Sequence, residues 1–168
     1  MRVLARIVAL AATLAVFEAR AERGLFAVSA EAGQSFDSPT AAAASRGFLL
    51  VGGCEYGLAE RWGLSLSAGG EFFQDQTTLS LSLGPRAVLF QSVWTTFQAF
   101  ALPELLPSWS GACAKLDLGL RAGLALRYQL LWGLGLSLQG SVRARAEAAG
   151  SAPVRFEGLL AGGLFIEA

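Results

Sequence analysis

From Lys115 to Tyr128 the chain reads KLDLGLRAGLALRY, and its two parities do not mix. The even positions carry Leu116, Leu118, Leu120, Ala122, Leu124, Leu126 and Tyr128, while the odd ones carry Lys115, Asp117, Gly119, Arg121, Gly123, Ala125 and Arg127. Side chains of a strand point alternately to opposite faces, so this pattern gives one apolar face and one polar face. Wound as a helix, the same leucines would circle the axis and mix with the charges. The segment is a strand, and a long one.

The same alternation recurs along the chain between turn signals. It predicts eight strands, near residues 24–34, 46–58, 62–73, 77–90, 94–104, 113–129, 133–146 and 153–166. The connections after the second, fourth and sixth strands are tight. Those after the first, third, fifth and seventh are looser and richer in Pro, Ser and acids, as in QSFDSPTAAAAS (34–45) and PELLPSWSG (103–111). Two hairpins resemble each other, EYGLAERWGLSLSAGG (55–70) and RYQLLWGLGLSLQGS (127–141). The fifth strand, WTTFQAFALPE, has no clean parity, and Pro85 in the fourth calls for a bulge or a strand end there.

A strand with one apolar face can hide that face in a soluble core or turn it to lipid. The 168 residues are 54% hydrophobic and only 15% charged, against about 25% charged in an ordinary soluble domain. Mean hydropathy is +0.50. The polar faces are rich in Gly, Ser and Ala, which suits a narrow interior better than a solvated surface. Trp62, Trp94 and Trp132 fall at the three tight turns with Tyr56 and Tyr128 beside them, the arrangement of aromatics found at a membrane interface. Strands of this length also suffice to cross the apolar band, which takes about 9–11 residues. In lipid every backbone polar group must be paired within the protein, so strands cross only as a closed barrel. The expected fold is therefore all-β, an eight-stranded antiparallel up-and-down transmembrane β-barrel with leucines outward.

The charges then face a lumen that eight strands leave just wide enough for side chains. Parity sends Glu31, Glu55, Glu71, Asp117 and Glu157 inward, together with Arg86, Lys115, Arg121, Arg127, Arg143, Arg145 and Arg155. Isolated buried charges are costly, so these are expected to form one paired network. Ahead of the barrel, Arg2 and Arg6 precede the eleven-residue apolar run Ile7–Phe17 and the A-x-A site Ala19-Arg20-Ala21. That is the form of an export signal, placing a leader at 1–21 and the barrel domain at 22–168.

With its paired hairpins, such as AERWGLSLSAG (59–69), and its alternating final strand, the chain resembles the small eight-stranded outer-membrane barrels of the OmpA/OmpX type. The resemblance implies the outer membrane of a Gram-negative bacterium, outer-membrane lipid as surroundings, the barrel assembly machinery as a partner during biogenesis, and a monomer. In these proteins the last strand ends on an aromatic residue and serves as an assembly signal; here it ends Phe165-Ile166-Glu167-Ala168.

The functional expectations are mostly exclusions. Thirteen basic and thirteen acidic residues give no net charge and so no electrostatic case for nucleic acid. The sequence has no histidine, the usual general base or acid of membrane-barrel enzymes. A mechanism on carboxylates alone, with Glu31, Glu55 and Glu71, competes with their use in lumen ion pairs, and the ion pairs are favoured. Two distant cysteines, Cys54 and Cys113, make no metal site and are expected to be free thiols; no glycine loop points to a cofactor. The expected role is a non-enzymatic barrel with a structural or surface-interaction task. The alternatives are a small channel or transport protein, or a secreted lipocalin-like carrier with the leucines turned inward.

Overall fold

The structure is a computed structural model that describes residues 26–37, 46–59, 61–73, 76–111, 113–131, 133–148 and 153–168. The leader expected at 1–21 and Trp132 lie outside the described residues. Eight strands follow one another: β1 (Phe26–Asp37), β2 (Arg46–Ala59), β3 (Trp62–Phe72), β4 (Thr77–Gln91), β5 (Thr95–Ser110), β6 (Cys113–Leu131), β7 (Leu134–Glu147) and β8 (Arg155–Glu167). Each pairs antiparallel with its neighbours in sequence, and β1 pairs with β8 to close the barrel.

Parity decides which way each side chain points. Along β6, Asp117, Arg121, Ala125 and Arg127 are buried while Leu116, Leu118, Leu120, Leu124, Leu126 and Tyr128 are exposed. The same division holds on β7, where Ser137, Gln139, Arg143 and Arg145 point inward and Leu136, Leu138 and Val142 outward. The barrel is thus inside out relative to a water-soluble domain: a continuous belt of leucine covers the outside. Water would charge about 25 cal/mol for every Å² of that belt, and lipid removes the penalty. The lipocalin-like alternative needs the leucines on the interior, and they face outward.

The tight-turn end is built alike three times. The register shifts between Gly57 and Ala59, Val88 and Phe90, and Gln129 and Leu131, so a bulge precedes each of the three tight turns. Extra residues of this kind tighten local twist and are common at barrel rims.

Two expectations are corrected. The chain does not bulge or stop at Pro85; β4 runs straight through it, with Pro85 opposite Leu64 and exposed. Residues 103–111 are not a loop either. β5 continues to Ser110 and β6 begins at Cys113; between them Gly111 takes the positive φ of 58° that a residue with a side chain would resist. Pro103 and Pro107 look like breakers in the sequence. Both fall on the outward parity of β5 and pair in register with Leu120 and Leu116 of β6, so the strand survives them.

Candidate functional site

Among the described residues, the interior is held by two groups of ion pairs. The larger is centred on Arg143 of β7, whose side chain has no solvent exposure. Its Nη1 meets Glu71 of β3 and, at 3.1 Å, Glu157 of β8, while Nε donates to Oε2 of Glu104 on β5. β3 and β7 stand on opposite walls of an eight-membered ring, so this one guanidinium spans the lumen. Glu104 Oε1 also lies 3.2 Å from Nε of Arg121 as an ion pair, and Arg121 donates from Nη2 to Ser67 Oγ at 3.1 Å. On the other side Glu157 pairs with Arg145 Nη1 at 2.9 Å, and Arg145 Nε lies 3.1 Å from Asp117. The result is one chain of alternating charge, Asp117–Arg145–Glu157–Arg143–Glu104–Arg121, with Glu71 as a side branch.

The smaller group lies toward the tight-turn end. Oε1 of Glu55 is shared by Arg86 Nη1 and Arg127 Nη2, each at 2.5 Å, and Arg86 also donates to Gln98 Oε1 at 2.7 Å. Aromatic rings complete it: Arg86 and Arg121 lie over Phe100 at 5.3 and 5.8 Å, and Arg127 over Phe165 at 4.9 Å. A ring face attracts a cation, which gives these inward phenylalanines a place in a polar interior. Glu31 accepts hydrogen bonds from Ser137 Oγ at 2.8 Å and from Gln139 Nε2.

Two residues assigned to this network by parity stand elsewhere. Lys115 is 61% exposed at the rim and only 3.9 Å from Glu147. Arg155 is exposed at the same rim, opposite Arg145 in the β7–β8 register. Both keep the inward parity, but they sit at strand ends where the lumen opens to solvent. Conversely, Glu104 was not picked out by the sequence, although it bridges two arginines. Its signal is the even parity of Gln98, Glu104 and Ser108, masked by Phe100, Leu102 and Leu106 on the same face and by the two flanking prolines.

Pockets open at the two ends. The one at the looser end holds 340 Å³ and is lined by Lys115, Asp117, Arg145 and Arg155 among others; that at the tight-turn end holds 440 Å³ and is lined by Glu55, Arg86, Gln98 and Arg127 among others. Between them Arg143, Glu71, Leu102, Leu106 and Leu49 are buried almost completely. Among the described residues, no group of three or more Cys, Asp and Glu side chains is arranged to hold a metal ion. The carboxylates of both clusters are engaged with guanidinium, hydroxyl or amide donors.

Outside, Trp62, Trp94, Tyr56 and Tyr128 are exposed at the tight-turn end of the barrel. A second aromatic level comes from Phe36, Phe48, Trp109 and Phe156 near the other end. Cys113 is a free, exposed thiol at the looser rim, and Cys54 is a half-buried free thiol on the outward face of β2.

These features define the class: an eight-stranded antiparallel barrel with an apolar exterior and a charged, side-chain-filled interior. It resembles the outer-membrane barrels of the OmpA/OmpX type in fold. Neisserial surface protein A superposes with a TM-score of 0.68 at 15% identity, over 86% of this chain and 99% of that one. The N-terminal β-barrel domain of Pseudomonas aeruginosa OprF gives 0.54 at 16% identity, over 84% and 99%. Ail, the attachment invasion locus protein of Yersinia pestis, gives 0.50 at 16% identity, over 86% and 99%. By sequence, no family model and no curated protein matches.

Proposed function

We propose that the chain is a non-enzymatic β-barrel of a Gram-negative outer membrane, exported by the leader at 1–21, inserted by the barrel assembly machinery, and serving as a monomeric scaffold that presents its looser end at the cell surface. The observation that carries this reading is Arg143. A guanidinium tied to three walls of the barrel fills the lumen at the level where a conduit would need open space, so the interior works as a polar core. Short turns on the periplasmic side and longer connections outside are the common arrangement in such barrels, which puts the Cys113 rim outward.

The two cysteines supply the test. A membrane-impermeant maleimide applied to intact cells should label Cys113 and leave Cys54 on the lipid face unmodified. Labelling of Cys113 only after the cells are broken would reverse the orientation and end the surface role.

A further inference from the structure

Apart from the bulges at the tight-turn rim, the ladders between neighbouring strands are continuous with one exception. β3 and β4 pair without a break from Trp62↔Ala87 to Phe72↔Thr77, and β5 and β6 from Thr95↔Tyr128 to Ser110↔Cys113. Between β4 and β5 the pairing is lost twice. It stops after Thr78↔Ser108 and resumes at Leu81↔Leu105, then stops after Ser82↔Glu104 and resumes at Arg86↔Phe100. Continued through the gaps, that register sets Pro107 opposite Leu79, Pro103 opposite Leu83 and Pro85 opposite Ala101. A proline has no N–H to donate. In an antiparallel pair, a residue that bonds to one neighbour turns both its N–H and its C=O toward that neighbour. All three imino nitrogens therefore face the same seam, and the carbonyls of Leu79, Leu83 and Ala101 lose their donors there. One seam of the wall carries three missing bonds in a setting where every backbone group is expected to be paired.

The side chains flanking the seam are also unusual. On the outside, Pro85, Ala87, Ala99, Ala101 and Pro103 are short, and the exposed leucines Leu83, Leu105, Leu120 and Leu124 stand around them. The outer face over the weak stretch is therefore covered by short side chains. On the inside, β5 presents Phe100, Leu102 and Leu106 in place of polar residues, all buried directly behind the seam. A separation of β4 from β5 would expose apolar surface on both sides of the wall, and the phase outside is hydrocarbon.

We propose that the β4–β5 seam is a lateral portal, at which an acyl chain of a membrane lipid enters between the strands and packs on Phe100, Leu102 and Leu106. The portal rests on the membrane reading above, and the test separates the two. The protein with Cys54→Ala and Cys113→Ser is reconstituted in phosphatidylcholine vesicles containing a phospholipid with a photoreactive diazirine on its acyl chain, and the adducts are mapped by mass spectrometry. Adducts are expected on outward Leu118 and Leu120, as for any lipid-facing strand, and also on inward Leu102 and Leu106. A disulfide across the seam that leaves the prolines in place, Leu81→Cys with Leu105→Cys, should cut the inward adducts about tenfold while leaving those on β6 unchanged, and reduction should restore them. A second variant, Pro85→Ala with Pro103→Ala and Pro107→Ala, returns the three donors and should lower the inward adducts without any crosslink. Adducts on Leu118 and Leu120 alone, in every form, would overturn the portal and leave the membrane reading standing. Absence of adducts from both faces would overturn both.

Discussion

Arg143 illustrates how a single buried charge is tolerated and what it then controls. Its desolvation is offset only because Glu71, Glu104 and Glu157 converge on it; removing it strips Glu71 of its cation and leaves Glu104 and Glu157 with one arginine each, Arg121 and Arg145. Arg143→Met should therefore lower stability by about 3–5 kcal/mol, the usual penalty for breaking a buried pair. The denaturant midpoint of the barrel refolded in detergent micelles measures this. Lys115→Met is the contrasting case: its partner is 3.9 Å away and the side chain is mostly in solvent, so the unfolding free energy should change by no more than about 0.5 kcal/mol. The inward direction of these residues was legible in the sequence because a strand has only two faces and the leucines occupy one. The choice of partner was not legible. Arg143 and Glu71 are 72 positions apart, and only closure of the ring brings them together.

At the scale of the strand, depth in the bilayer sets the cost of a charge. Leu120 sits midway along β6 and faces outward, whereas Leu134 begins β7 at the tight-turn rim. Leu120→Arg should cost about 2–4 kcal/mol and Leu134→Arg about 0–1 kcal/mol in lipid vesicles, read as the difference in unfolding free energy. Equal costs would mean that the leucine belt does not lie in hydrocarbon. The closing pair is more sensitive still. A Cβ on Gly163 would lie 2.0 Å from the carbonyl oxygen of Ala30 across the β1–β8 seam, so Gly163→Val should prevent closure and abolish the folded band on an unheated gel. Most strands could be located from alternation alone. β5 was located only as far as 104, because three of its inward positions are apolar and its prolines imitate a loop. The structure resolves the contradiction: the prolines turn their missing donors to one seam and their rings outward, so the rule against proline in a closed ladder gives way at a single place.

For the whole molecule, the polar interior and apolar exterior are two consequences of one alternation, and they stand or fall together. A filled lumen implies that the protein in a planar bilayer should show no steady open-channel current, and a regular ohmic conductance would contradict the ion-pair core. The inside-out arrangement itself is tested most directly by gel mobility of the protein extracted from membranes in detergent, loaded unheated and after boiling. A closed barrel keeps its compact form until heated, so two distinct mobilities are expected, with the protein sedimenting in the outer-membrane fraction. A single mobility under both conditions, from a protein that stays in solution without detergent, would mean that the leucines do not face lipid.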